Sequence, residues 1–267
     1  MFLSTLGAYA GFTIGTHALA LLTANSSWVD RAWSIAPVVY AATLRGTDLR
    51  SSIALACVTL WGSRLTFNFW RKDGFNIWTE DYRWAQLRQI LPSWAHAPFH
   101  VLFITFYQNL LLMLLAMPFA SIAQYPSPWT SVDSMILAVY VALLLLQTAA
   151  DEQQWACHEK KARAGPKMHP KFCTTGLFRY SRHPAFFAEM GMWWCIWAFS
   201  CSARGELVYD WTLSGPVLLT ALFQGSTAFT EYLSVAKYPE YKKYQKTTSR
   251  LIPLWPGPPI WQGEGSD

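Results

Sequence analysis

Four ionisable residues stand in or at the edge of strongly apolar stretches: Asp30, Arg64, Glu189 and Glu231. Placing such a group in hydrocarbon costs about 3 kcal/mol or more, so these residues normally face a protein interior and serve a function, or pair with one another. Glu189 is the most informative. It follows Pro184 in RHPAFFAEMGMWWCIWAF, and proline suits the first turn of a helix because its missing N–H would have no partner there. The free N–H groups of such a helix start, with Arg182 and His183 just before them, make a ready site for an anion of phosphate size. His183 reads equally well as a cap of the helix start. The preceding segment adds Lys160, Lys161, Arg163, Lys167, Lys171 and Arg179. Attraction of these residues to anionic lipid is the plain alternative to a phosphorylated cofactor.

Two further segments carry polar chemistry. ADEQQW (150–155) puts Asp151, Glu152, Gln153 and Gln154 at the end of an apolar run. They read as a solvated helix end or as hydrogen-bonding partners of ribose hydroxyls or a carboxamide. In EYLSVAKYPEYKKYQ (231–245), Tyr238, Tyr241 and Tyr244 recur every three residues, and Lys242, Lys243 and Lys246 fill much of the rest. This spacing predicts a short interfacial helix, aromatic side inward and basic side to lipid headgroups. A lid of tyrosines closing over a cofactor is the other reading. The five cysteines (57, 157, 173, 195 and 201) are odd in number and form no CxxC pair. Neither a disulfide framework nor a structural zinc site is expected from them.

The elements that position these residues follow from composition. Only 14% of the chain is charged, against about 25% in soluble domains, too little to cover a globular surface. The mean hydropathy of +0.15 understates the apolar character, because Trp and Tyr score as polar on that scale yet suit membrane–water interfaces. Disorder, a soluble two-domain enzyme and a nucleic-acid binder are poor fits. Segments of about 20 apolar residues mark spans, and seven are found at roughly 2–24, 28–44, 51–70, 98–124, 130–150, 184–203 and 211–233. The N-terminus lacks the basic region of a cleavable signal peptide, so the first segment is expected to remain as a span.

Seven spans place Arg31, the basic residues of 71–97 and 151–183, and those after 233 on one side, 17 of the 21 Lys and Arg. Arg45, Arg50 and Arg204 fall on the other side and Arg64 within a span. This asymmetry gives the N-terminus outside and the C-terminus in the cytosol. The net charge of +5 is thus a matter of topology. The expected fold is an all-α, seven-transmembrane-helix bundle, one membrane-embedded domain over 1–267 with an interfacial tail at 234–267.

Taken together, GLFRYSRHPAFFAE (176–189) and EYLSVAKYPEYKKYQ…LIP (231–253) resemble the C-terminal domain of the steroid 5-alpha-reductase family, in its microbial and protist branch. SSWVDRAWSIAPVVY (26–40), LWGSRLTFNF (60–69), EDYRW (80–84) and ADEQQW extend the resemblance over most of the chain. RHP followed by Glu in a span, then YxxY and IP, is also similar to isoprenylcysteine carboxyl methyltransferases. The first resemblance implies a seven-helix membrane reductase, in the endoplasmic reticulum of a eukaryote, that uses NADPH on a carbon–carbon double bond conjugated to a carbonyl. It implies cofactor contacts from Arg64, Asp151, Arg179, Arg182, His183, Glu189 and Tyr232, and a lipid or steroid-like substrate near Asp30 and Trp61.

In the mechanism implied, a hydride reaches the β-carbon of an enone, and charge developing on the carbonyl oxygen needs a donor in a dry site. Asp30 fills that role in its protonated form, which burial in hydrocarbon favours; Asp30 and Glu189 are then the catalytic candidates. No GxGxxG segment follows a strand, so the nicotinamide site is not of Rossmann type. The chain departs from the family where Ala185 replaces an Asn after the HP pair, Ala188 a Gly before Glu189, and Trp61 a Tyr that grips substrate. The alternatives are a methyltransferase using S-adenosylmethionine, which needs no phosphate site, and a catalytically silent lipid- or sterol-binding protein. No metal, nucleic acid or protein partner is indicated.

Overall fold

The computed structural model describes residues 2–207 and 209–258; the last residues of the expected interfacial tail lie outside them. Among the described residues the only regular secondary structure is helical, apart from one isolated parallel bridge between Ser181 and Ser249. Three helical stretches among the described residues are long and apolar enough to cross a membrane: Phe2–Thr23 (α1), Ser93–Gln124 and Ser131–Ala164 (α9). A helix of 22 residues measures about 33 Å, which matches a hydrocarbon core of roughly 30 Å. Leu3, Leu6, Ile14, Leu21 and Leu22 of α1 are exposed, as are Met135, Val139 and Leu145 of α9. These exposed apolar faces suit a lipid environment.

The stretch Ser93–Gln124 is composite. It comprises α6 (Ser93–Phe99), a π-helical segment His100–Tyr107, α7 (Gln108–Ala116) and α8 (Pro118–Gln124). Pro98 lies inside α6 and lacks the N–H for an ordinary helical bond; directly after it the ladder widens to the i→i+5 pattern. Phe99, Phe103 and Tyr107 stack along this segment with ring centroids 5.0 and 5.4 Å apart.

The remaining helices are α2 (Trp28–Ala32), α3 (Ala36–Leu44), α4 (Leu49–Arg71), α5 (Tyr82–Ile90), α10 (Pro184–Arg204), α11 (Ser214–Lys237) and α12 (Tyr241–Thr247). Helix α10 begins at Pro184 as that residue's missing donor favours. The expected span at 28–44 is corrected: it breaks between α2 and α3. The nine residues of α3 make about 13.5 Å of helix, less than half of the hydrocarbon thickness. Helix α9 runs on to Ala164 instead of ending near residue 150, so residues 151–164 of the expected basic loop 151–183 are helix.

The chain divides into two compact units, Met1–Ala138 with Trp193–Leu219 and Val139–Met192 with Thr220–Asp267. In the first, Leu44, Leu111, Leu112, Leu115, Phe119 and Ile122 form a fully buried core. Gly62 lets α4 approach α3, since a Cβ there would come within 2.6 Å of the Ser34 carbonyl and 2.7 Å of Val38. Arg50 Nε donates to Asp133 Oδ1 at 2.7 Å, with neither side chain exposed, and Nη1 donates to Ser127 Oγ. In the second unit, Phe186 meets Phe223 edge-on with centroids 4.5 Å apart.

The second unit also corrects the cysteine expectation. Cys157 and Cys173 form a disulfide across 16 residues. The loop it closes presents Phe172 to Tyr238, Tyr241 and Tyr244 at centroid distances of 5.9, 4.9 and 5.7 Å.

Candidate functional site

In the second unit, the polar chemistry gathers around the start of α10. Glu189 is buried, and its Oε2 accepts a hydrogen bond from Gln147 Nε2 of α9 at 2.9 Å. The same amide nitrogen reaches the Ala185 carbonyl at 3.3 Å. Asp151 follows Gln147 by one turn and shares its helix face; both are buried. Gln147 Oε1 is buried and accepts no hydrogen bond among the described residues. Gln147 and Glu189 thus stand in apolar stretches of α9 and α10, with Asp151 where the charged end of α9 begins, and with one acceptor to spare.

The segment leading into α10 is held from several sides. Arg182 Nε donates to Glu231 Oε1 at 2.6 Å and Nη2 to Glu231 Oε2 at 3.1 Å, a two-bond pair of the stronger kind. Its Nη1 donates to the carbonyls of Gln245 (3.0 Å) and Thr248. His183 Nε2 lies 3.1 Å from Glu231 Oε1, and Gln245 Nε2 donates to Oε2 at 2.8 Å. The backbone adds Arg182 N–H to Ser249 O and His183 N–H to Arg250 O, while Ser181 Oγ donates to Leu251 O. The RHP segment is therefore strapped to the SRLIP segment, and Arg182 and His183 are spent on Glu231.

Gln153 organises the turn before it. Its Oε1 accepts the Leu177 N–H at 2.8 Å, and a Cβ on Gly176 would come within 2.5 Å of that oxygen. Gly176 also has a φ of +62°, a left-handed conformation that glycine adopts without strain. The turn Gly176–Arg179 leaves Arg179 exposed, as is Lys171. Tyr232, expected at the cofactor, is 63% exposed. Tyr241 and Tyr244 of α12 are buried whereas Lys242, Lys243 and Lys246 are exposed, the sidedness the spacing predicts. Burial raises the pKa of both tyrosines; Tyr244 Oη donates to the Phe178 carbonyl.

The first unit holds Asp30, Trp61 and Arg64. Asp30 Oδ2 accepts the indole N–H of buried Trp84 at 2.8 Å. Its neighbour Arg31 directs Nη2 to the carbonyls of Asn76 (2.7 Å) and Thr79 (3.1 Å). Ser26 N–H donates to Glu80 Oε1, and Asp81 N–H to Ser27 Oγ, each at 2.8 Å. Segments 25–31 and 76–84 are thus zipped together. Burial pushes the Glu80 carboxyl up, but hydrogen bonds from Arg88 and the Ser26 N–H outweigh it and hold the pKa below the usual range. Trp61 is 1% exposed and meets Trp193 edge-on with centroids 4.9 Å apart. No cluster of three or more metal-ligating side chains occurs among the described residues.

Gln147 and Trp84 are the residues to which the sequence alone assigns no role. Gln147 had a signal, one helical turn before Asp151, but a glutamine inside an apolar run does not announce its partner.

An all-helical protein with polar side chains buried in apolar helices is the class these observations define. The chain belongs to the family described as "Protein of unknown function (DUF1295)", which matches residues 16–248. It is similar to "Uncharacterized protein C594.04c" of Schizosaccharomyces pombe, with 34% identity over 276 residues, covering 94% of this chain and 80% of the relative. No solved structure matches it.

Proposed function

We propose that this protein is a membrane reductase that uses NADPH to reduce a carbon–carbon double bond conjugated to a carbonyl in a lipid or steroid-like substrate. The observation that carries this reading is the buried Glu189, held by Gln147, with Asp151 one turn further along α9. It gains support from the motifs that resemble the steroid 5-alpha-reductase family. In this reading the chain crosses the membrane seven times, at α1, the broken α2–α3 passage, α4, α6–α8, α9, α10 and α11. The N-terminus is outside and the C-terminus cytosolic, in the endoplasmic reticulum of a eukaryotic cell.

NADPH, when bound, supplies the hydride. The residues fit such a cofactor selectively. Arg179 and Lys171 are exposed and suit its phosphates. The unoccupied acceptor on Gln147 suits an amide donor, and Asp151 and Glu189 accept from hydroxyl or amide groups. Arg182 and His183 do not reach outward; they are positioning residues that fix the start of α10 through Glu231. Asp30, protonated, donates to the substrate carbonyl oxygen, and its hydrogen bond from Trp84 fixes its orientation.

Binding of NADPH to detergent-purified protein tests the cofactor assignment. Glu189→Gln and Asp151→Asn are each expected to weaken binding at least about tenfold, a loss of roughly 1.4 kcal/mol, with an unchanged melting temperature. Wild-type affinity in both variants contradicts the assignment. NADPH oxidation driven by an enone lipid, lost in Asp30→Asn, tests the reaction.

A further inference from the structure

The second unit carries a surface that neither the cofactor nor the packing of the helices uses. We infer that α12 and the segment after it form a docking surface for anionic lipid headgroups at the bilayer interface. The inference is independent of the reductase reading.

Helix α12 is fixed from behind and bare in front. Tyr241 and Tyr244 are 6% and 2% exposed and pack on Phe172. Behind them Lys161 Nζ donates to Tyr238 Oη at 2.6 Å. The face opposite presents Lys242, Lys243 and Lys246, with Lys237 just before the helix, all exposed. Glu240 is the one carboxylate within 237–246, and it lies 3.9 Å from His169 Nδ1. The face is therefore cationic, with its backbone and aromatic side held rigid.

The following segment supplies the apolar half. Leu254 N–H donates to Tyr180 O at 3.1 Å and Gly257 N–H to Thr247 O at 2.8 Å, so the chain is tied down on both sides of Trp255. Trp255 is nonetheless 91% exposed, and Ile252 and Leu254 are each 58% exposed. An exposed Trp on a pinned backbone beside a lysine face matches the interfacial belt of membrane proteins. A free phosphate or a nucleic acid would use the lysines and leave the apolar side chains in water. A headgroup layer with acyl chains beneath it engages both, and each Lys near such an anionic surface is attracted measurably.

Hydrogen–deuterium exchange of the full chain in nanodiscs tests this. In discs containing a third phosphatidylserine, amides of 237–257 are expected to exchange at least about fivefold more slowly than in pure phosphatidylcholine discs, and high salt should remove the difference. Lys242→Gln/Lys243→Gln/Lys246→Gln should abolish the dependence on phosphatidylserine, and Trp255→Ala should weaken protection in both disc types. Equal exchange in the two lipids overturns the proposal. So does equal slowing by inorganic phosphate in phosphatidylcholine discs, or a triple variant that responds to phosphatidylserine like wild type.

Discussion

The residue that organises the second unit is Glu231, because it satisfies three side chains at once. Arg182, His183 and Gln245 all point at its carboxylate, and the side chains of Arg182 and Glu231 are only 8% and 7% exposed. Removing one partner of a buried ion pair leaves an uncompensated charge, at a cost of roughly 3–5 kcal/mol. Arg182→Met is therefore expected to destabilise the protein by about 3 kcal/mol, measured by denaturant unfolding in detergent; a loss below about 1 kcal/mol would show the pair to be dispensable. The sequence announces Arg182 and Glu231 as ionisable groups beside apolar runs. It does not announce that they meet, because 49 residues separate them and a phosphate is an equally good partner for an arginine at a helix start. Asp30 shows the same limit: an acid in an apolar stretch is legible, whereas its hydrogen bond from Trp84 depends on how 76–84 folds back.

That fold-back belongs to the scale of elements. Glu80 receives hydrogen bonds from Arg88 and the Ser26 N–H, and its pKa is held below the ordinary value. A depressed carboxylate contributes stability that is fully present above its unfolded pKa and is lost as pH falls through the folded one. Amides of 76–81 should thus exchange faster as pH drops below about 4.3, the ordinary Glu value, after correction for intrinsic rates. Glu80→Gln should remove that pH dependence, and an unchanged profile would contradict the part of Glu80 in tying 76–84 to 25–31.

The Cys157–Cys173 loop makes a second case. Closing a loop of this length stabilises by about 3 kcal/mol in the chain-entropy account, so Cys173→Ser is expected to lower stability by about that amount. Reductant should bring the wild type to the same value and leave the variant unmoved. Neither the pairing nor the continuation of α9 to Ala164 is legible in the sequence. The two cysteines have no short-range spacing signal, and the charges after residue 150 end the apolar run without ending the helix. The break in the expected 28–44 span has a like cause, since hydropathy averages across the short turn between α2 and α3.

For the whole molecule, the apolar helices were the most legible feature. Continuous hydropathy marks α1, Ser93–Gln124 and α9 as long and apolar enough to cross a membrane, and their exposed apolar side chains suit lipid. The polar minority is harder to read from sequence, because its meaning lies in pairings. Of the basic residues around the start of α10, Arg182 is committed within the protein, whereas Arg179 and Lys171 are exposed. The phosphate demand assigned to NADPH thus rests on fewer residues than charge counting implies. This makes cofactor identity the decisive question. Thermal unfolding of the detergent-purified protein with NADPH, NADH and S-adenosylmethionine answers it most directly. The reductase account predicts an upward shift with NADPH that Glu189→Gln abolishes. A shift with S-adenosylmethionine alone, or none with any of the three, contradicts it.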